Sequence, residues 1–204
     1  MHRALTTFTP ADDDSTGIAS TAAGTSGQPF TLDAEGPADG LAHLLTFAPS
    51  GSVTGNYEIT GTDADGLPQT ETLATDTTNT VTSTKYFATV TEVLAPSGIG
   101  AETVNIGWTD DTVSPTIPIN WRQDSFGAAV AVSISGTIDY TVQHCFESFR
   151  EVAPSTLDWW PHASLAAKTA SADGNYAFPV RGVRFLINSL TAGATIGIRV
   201  VQSC

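Results

Sequence analysis

The clearest pattern in the chain is an alternation of apolar and polar residues over residues 130–146. The even positions are mostly apolar and include Val130, Val132, Ile134, Ile138, Tyr140, Val142, His144 and Phe146. The odd positions are mostly polar and include Ser133, Thr137, Asp139, Thr141 and Cys145. Because successive side chains of a β-strand point to opposite faces, this spacing predicts strand structure with one buried face. The segment exceeds a usual strand length, so we expect a bend near Gly136, with either one long curved strand or two strands that share a buried face.

Shorter runs with the same character recur through the rest of the chain, separated by turn residues. Asp65-Gly66 lies between two alternating runs and predicts a hairpin, because glycine adopts a positive φ without steric cost. Residues 183–190 and 195–203 predict a closing hairpin, with Ile196 and Ile198 buried. No segment has the spacing of an amphipathic helix. The predicted fold class is all-β, with two antiparallel β-sandwich-like units preceded by an extended N-terminal arm.

The composition divides the chain into three parts. Residues 1–40 contain few apolar side chains and are predicted to form the arm, held either by a neighbouring subunit or by their own domain. Residues 41–113 are predicted to form an acidic β domain, and residues 114–204 a β-sandwich-like domain. The boundary is placed in the proline-containing stretch 109–120, where the charge balance changes.

The formal net charge of −13 comes entirely from the first half of the chain. Residues 1–113 hold fifteen acidic residues against Arg3 and Lys85, whereas residues 114–204 hold six acidic and six basic residues. A surface of this kind repels phosphate groups, so direct binding to nucleic acid is not expected. The acidic half is interpreted as a solvated face, with a face for a basic partner or for cations as the alternative.

Neither a membrane span nor a cleaved leader is expected, because no apolar run is long enough and the first residues lack an apolar core. The chain is therefore expected to be made in a cytoplasm. Cys145 and Cys204 could form one disulfide, but Cys145 falls on the polar face of its strand, and two cysteines are no disulfide framework. A native pairing is the less favoured alternative.

Metal binding and cofactor binding are not predicted. Residues 63–66 with Glu71 resemble part of a calcium loop, but an acidic ligand is missing, and a hairpin turn explains Asp and Gly equally well. His144 and His162 could converge with Asp158, yet the histidines show neither HxH nor HExxH spacing. Structural roles are therefore the favoured interpretation for these side chains.

The sequence predicts that the protein is not an enzyme. It contains no GxSxG motif, P-loop, GxGxxG after a strand or CxxC pair, and acid–base catalysis needs convergent titratable groups. The alternative is a glycan-binding or glycan-cleaving module that uses Trp159, Trp160 and either Asp158 or Glu147. Three roles are open for the adjacent tryptophans: a hydrophobic plug, a protein interface or a platform for a glycan.

Two stretches resemble proteins of tailed-bacteriophage virions. NYEITGTDADGLPQTETL followed by TSTKYFATVTEVLAPSG is similar to a recurring pattern in such proteins. DYTVQHCF followed by WWPHASLAAKTASADGNYAFPVRGVRFLI is similar to small phage structural proteins. Together the two resemblances cover about half of the chain. They imply a virion part and transfer no catalytic residues.

Within a virion, the resemblance and the charge pattern favour a capsid decoration (cement) protein that binds the outer surface of the head and stabilises it. Its expected partners are the major capsid protein and copies of itself, as a homotrimer at local three-fold positions. A head-to-tail connector, a tail or baseplate subunit and a glycan-binding virion module are the alternatives. If the arm clamps a neighbour, deletion of residues 1–30 should leave both β units folded but abolish attachment. The predicted interface residues are Leu5, Phe8, Ile18, Phe30, Trp121, Trp159 and Trp160.

Overall fold

The structure is a computed structural model that describes residues 2–122, 126–147 and 157–202. The prediction of an all-β fold is confirmed, since these ranges contain fifteen strands and no helix, and hence no helix that could cross a membrane. In chain order the strands are β1 (His2–Phe8), β2 (Asp14–Ala23), β3 (Ala42–Pro49), β4 (Asn56–Thr62), β5 (Pro68–Ala74), β6 (Val81–Phe87), β7 (Thr89–Leu94), β8 (Thr103–Val113), β9 (Ile117–Pro118), β10 (Ala128–Ser135), β11 (Ile138–Cys145), β12 (Trp160–Pro161), β13 (Ala172–Tyr176), β14 (Gly182–Leu190) and β15 (Thr195–Gln202).

The chain forms two compact units, one of which is inserted into the sequence of the other. Residues 1–12 and 110–204 form what we call the split unit, and residues 13–109 form the inserted unit. The composition placed boundaries after residues 40 and 113, whereas the structure divides the chain after residues 12 and 109. Strand β8 contributes residues 103–109 to the inserted unit and residues 110–113 to the split unit.

The split unit is a sandwich of two antiparallel sheets. One sheet has the order β1-β15-β10-β13, and the other contains β12-β11-β14, with β9 and the end of β8 also paired to β14. Phe8 of the first sheet meets Phe185 of the second edge to face, with ring centroids 5.5 Å apart. Alternate residues of the strands are buried and form the core: Val130, Val132, Ile138, Tyr140, Val142, Val183, Phe185, Ile187, Ile196, Ile198 and Val200.

Residues 130–146 form two strands, which is the second of the two predicted alternatives. Strand β10 ends at Ser135, and Gly136 has a φ of +83° at the turn that leads into β11. A Cβ added there would lie 2.8 Å from the Cβ of Ala194, so the turn requires glycine for its conformation and for its space. The predicted bend at Gly136 is confirmed, and the two strands lie in different sheets.

The predicted closing hairpin is wrong, because β14 and β15 belong to different sheets. The turn residues are correct, since Gly193 has a φ of +76° and the Ala194 amide donates to the Thr191 carbonyl. The two crossing turns are joined to each other, as the Thr191 amide donates to the Thr137 carbonyl at 3.0 Å. Local turn chemistry is the same for a hairpin and for a crossing between sheets, so the sequence could not separate them.

Two residues placed on the polar face of β11 are buried. The Thr141 hydroxyl accepts a hydrogen bond from the Ala167 amide at 2.9 Å, so a loop covers this side of the strand. Cys145 is fully buried, with its sulfur 3.9 Å from the Glu147 carbonyl oxygen. The alternation rule assumed that one face of β11 meets water, and that assumption was wrong at these positions. Cys204 lies outside the described residues, so the structure does not test whether it pairs with Cys145.

The inserted unit is also built from antiparallel strands. One sheet has the order β5-β4-β7, and in the other β6 pairs with β3, β3 lies beside β8, and β2 pairs with β8. Phe47 of β3 stacks on Tyr57 of β4 with ring centroids 4.6 Å apart, which links the two sheets through the core. Burial raises the pKa of the Tyr57 hydroxyl to about 12.

Two carboxylates of this unit have structural partners. One Asp63 oxygen accepts the amides of Asp65 and Leu67, both at 2.9 Å, which fixes the predicted hairpin between β4 and β5. Glu71 accepts the Thr84 amide at 2.7 Å and the Lys85 amide at 3.0 Å, and so ties β5 to β6. The residues that resembled part of a calcium loop thus hold strands together.

Residues 1–40 contribute strands to both units. Strand β1 pairs with β15 along its whole length, and β2 pairs with β8. Ile18 and Phe30 are buried in the inserted unit, where the Phe30 ring lies 6.4 Å from that of Tyr57. Ile18 and Phe30 therefore serve the core of the inserted unit, which the low apolar content of the segment did not indicate.

Deletion of residues 1–30 is expected to destabilise both units, because it removes β1, β2 and the buried side chains of Ile18 and Phe30. Amide hydrogen exchange in β15 and β8 should become faster, and the thermal unfolding midpoint should fall. A Leu5→Ser variant serves as the control and should change stability by only about 0.5 kcal/mol, because this side chain is exposed. Unchanged protection of β15 in the truncated chain would contradict the expectation.

Substitution Glu71→Ala is expected to destabilise the inserted unit by about 2 kcal/mol, because the amides of Thr84 and Lys85 lose a charged acceptor. Their hydrogen exchange rates should rise more than those of amides elsewhere in the unit. The matched control is Glu58→Ala, an exposed residue of β4 that should be nearly neutral. Equal effects of the two substitutions would show that the Glu71 contacts contribute little.

Candidate interaction surface

Three exposed aromatic side chains lie at one end of the split unit. Trp160 is 54% exposed, Phe178 48% and Phe146 47%. His144 and Tyr176 are buried beneath them. We call these five residues the aromatic end. Exposed rings in this number are unusual for a fold whose other large apolar side chains are mostly buried.

The strands explain why these side chains meet. His144 lies near the end of β11, and Phe146 follows two positions later, just past the strand. Trp160 of β12 is the direct partner of His144, so their side chains point to the same face. Tyr176 ends β13, and Phe178 follows it by two positions. The aromatic end is thus made where β11 and β13 finish and β12 begins.

Four rings of the aromatic end, those of His144, Phe146, Tyr176 and Phe178, contact one another mainly edge to face, as aromatic pairs prefer. The His144 ring lies 5.1 Å from Phe146, 5.1 Å from Tyr176 and 5.8 Å from Phe178. The Phe146 and Phe178 rings are 5.9 Å apart and tilted by 34°. His144 is therefore the central ring, and the exposed phenylalanines rest on a buried support.

The polar atoms of this support are engaged within the chain. The Tyr176 hydroxyl lies 3.4 Å from His144 Nδ1, and His162 packs on the other side of Tyr176 with ring centroids 4.7 Å apart. His162 Nε2 lies 3.2 Å from the Asn175 carbonyl oxygen, and its Nδ1 accepts the Ser164 amide at 3.2 Å. Both histidines are buried, as the sequence predicted for His144.

Burial sets the protonation of the central pair. Desolvation lowers the pKa of His144, and the nearby His162 ring lowers it further. Desolvation likewise raises the pKa of the Tyr176 hydroxyl, with Cys145 as a second cause. The folded state thus favours a neutral imidazole next to a protonated phenol, which suits a hydrogen bond from the Tyr176 hydroxyl to His144 Nδ1.

The charged residues that directly adjoin Phe146 and the two tryptophans in the sequence are acidic. Glu147 follows Phe146 and Asp158 precedes the tryptophans, and both are exposed. A Glu147 oxygen accepts the Asp158 amide at 3.1 Å, which brings the two segments together. Of the three residues whose convergence was the less favoured possibility, His144 and His162 both pack against Tyr176, whereas the Asp158 contact that the structure gives is to Glu147.

The adjacent tryptophans have different environments. Trp159 is half-buried, and the Arg184 guanidinium lies 4.0 Å from the centre of its ring. Trp160 projects to the other side of β12, as successive strand residues do, and is exposed. Trp159 therefore packs against its own unit, whereas Trp160 is available to a partner.

The other predicted interface residues are distributed over both units. Trp121 is half-buried, with the Arg181 guanidinium 4.4 Å from its ring centre. Leu5 is exposed on β1, and Phe8 packs on Phe185. As described above, Ile18 and Phe30 are core residues.

Phe146 and Phe178 were not predicted as interface residues. The alternation pattern placed Phe146 on the buried face, but β11 ends at Cys145 and nothing of the described chain covers the ring completely. Phe178 stands in the sequence Asn-Tyr-Ala-Phe-Pro, where Phe178 and Tyr176 have strand spacing and Pro179 ends the pattern. An apolar residue one or two positions after the last residue of a strand was the available signal.

Comparison with known proteins gives no family for this chain. No protein-family model matches the sequence, and a search of curated proteins found no match. The geometry of the aromatic end itself therefore carries the functional argument. Its exposed rings, which rest on a buried support, are suited to binding another surface.

The pKa of His144 predicts that the split unit loses stability in acid. The unfolded chain takes up a proton near the ordinary histidine pKa of about 6.5, whereas folded His144 binds it only at lower pH. The contribution is complete above about pH 6.5 and is lost as pH falls through the folded pKa. A His144→Gln variant should therefore show a weaker dependence of the unfolding free energy on pH below 6.5. Identical pH dependence of variant and wild type would contradict this expectation.

Proposed function

We propose that this chain is a structural protein of a tailed-bacteriophage virion, and specifically a capsid decoration protein that binds the outer surface of the head and stabilises it. The observation that carries the proposal is that charge and exposed aromatic rings are on different units. The aromatic end belongs to the split unit, which has nine acidic and seven basic residues. The inserted unit has twelve acidic residues and Lys85 as its single basic residue.

The two units suit different surroundings. A strongly acidic unit remains hydrated and repels other polyanions, which fits a part that projects into solvent. A nearly neutral unit with exposed aromatic rings fits the anatomy of a protein interface, where charged residues are depleted and aromatic residues are enriched. The split unit is therefore proposed to face the head, and the acidic unit is proposed to face water.

The resemblance to phage structural proteins is the reason for proposing that this chain is part of a virion. The stretches that carry it include β4 to β7 of the inserted unit and residues 139–146 and 159–187 of the split unit. The second stretch contains all five residues of the aromatic end. Its partners are proposed to be the major capsid protein and copies of the same chain, as a trimer at local three-fold positions on the capsid surface. Binding that favours the assembled shell stabilises it by mass action.

Copy number per particle tests the proposal directly. Quantitative mass spectrometry of purified particles, with the major capsid protein as the reference, should find about three copies of the chain for each local three-fold position. Heads assembled without the chain should unfold or rupture at a lower temperature, and added purified protein should restore the wild-type value. Copies sufficient for only a single ring would favour a connector, tail or baseplate subunit instead. Absence of the chain from particles would refute a virion role.

A further inference from the structure

We infer that the aromatic end is the anchor by which this chain binds a protein surface that offers an apolar pocket bordered by lysine or arginine. The inference rests on the proposed function in one respect, namely that the head shell is the surface that carries the pocket. It adds the residues that make the contact and the chemistry of the partner.

The exposed apolar area of the described chain is concentrated at the aromatic end. Five large apolar side chains are exposed in the described ranges, and three of them, Phe146, Trp160 and Phe178, belong to the aromatic end. With about half of each ring in contact with water, they offer roughly 300 Å² of apolar surface. An exposed patch of this size on a small soluble domain commonly marks an interaction site.

The exposed rings of the aromatic end are held in position by the residues beneath and beside them. The two phenylalanine rings rest against His144, which in turn is held by Tyr176 and, through it, by His162. Trp160 is fixed opposite His144 by strand pairing. Rings that are already positioned lose little conformational entropy on binding, which is the property of residues that dominate interface affinity.

The exposed charged side chains beside the rings indicate the charge of the partner. Glu147 and Asp158 are exposed beside the rings. The hydrogen bond from the Asp158 amide to the Glu147 carboxylate joins their two segments at the border of the patch. Of the arginines in the described ranges, Arg181 and Arg184 are the nearest along the chain to the rings, and they are half-buried and stacked on Trp121 and Trp159, respectively. Among the residues that the structure describes, the exposed charge at this border is therefore negative, and a partner of positive charge complements it.

Polar chemistry favours a protein over a glycan as the partner. A sugar site combines a stacking ring with hydrogen-bonding groups that are open to the sugar hydroxyls. Here the ring nitrogens of His162 already have partners, His144 Nδ1 lies next to the Tyr176 hydroxyl, and Glu147 accepts the Asp158 amide. The exposed phenylalanines are tilted relative to each other, so they do not form one flat platform.

The test measures binding of the purified full-length protein to heads assembled without it, by co-sedimentation over a range of protein concentrations. Trp160→Ser and Phe178→Ser should each weaken binding by about tenfold or more, as is typical of anchor residues. Leu67→Ser is the matched control, because Leu67 is an exposed apolar residue of the inserted unit and should leave binding unchanged. Trp160→Phe should restore most of the affinity, and circular dichroism should show that every variant is folded.

The charge part is tested with Glu147→Gln and Asp158→Asn, which keep the shape of the border and remove its charge. Both should weaken binding at low salt and flatten its salt dependence, whereas Glu92→Gln on the inserted unit should not. Salt dependence that is unchanged in the two border variants would overturn the basic character assigned to the partner.

The outcomes separate this inference from the proposed function. Failure of the wild-type protein to bind heads refutes the decoration role, and the assignment of the shell as partner falls with it. Wild-type binding that is equalled by folded Trp160→Ser and Phe178→Ser overturns the aromatic anchor alone. Intact head binding by these variants, together with loss of a signal that the wild type gives on a glycan array, would assign the rings to a glycan instead.

Discussion

The crossing of the chain between the two sheets at Gly136 and Gly193 is the constraint on which the split unit depends. Each turn requires a positive φ, and the space beside Gly136 is filled by Ala194. The two turns are hydrogen-bonded to each other. They therefore fix the offset between β10 and β11 and the offset between β14 and β15. Strand β11 starts at one of these turns and ends at Cys145, so the same constraint sets where Phe146 emerges. The position of the aromatic end is therefore a consequence of the turns at the other end of β11.

Much of the fold was predictable because period-2 alternation reports burial directly. The pattern over residues 130–146 identified the core positions correctly, apart from a half-buried Ile134 and an exposed Phe146. It failed at Thr141 and Cys145, which lie on a second buried face of β11. Pairing partners were not predictable, since turn residues alone do not distinguish a hairpin from a crossing. The phenylalanines of the candidate site were missed for a related reason: alternation describes positions within a strand and cannot indicate where the strand ends.

The N-terminal segment shows how composition can mislead. A stretch with few apolar residues is typical of disorder, yet Ile18 and Phe30 are each placed where a single side chain completes a core. Burial of such a residue depends on what other parts of the chain provide, which the segment itself does not contain. Charge was a better guide than apolar content, because the change of charge balance lies only a few residues from the end of the inserted unit.

The insertion of residues 13–109 between β1 and the rest of its sandwich has a consequence for the order of folding. Strand β1 pairs with β15, joining residue 2 to residue 202, so this sheet cannot close until residue 202 has been synthesised. The inserted unit needs only its own residues and can fold earlier on the ribosome. Until β15 emerges, β1 is an unpaired strand that other chains could capture. Where nascent chains are crowded together, such capture competes with completion of the sandwich.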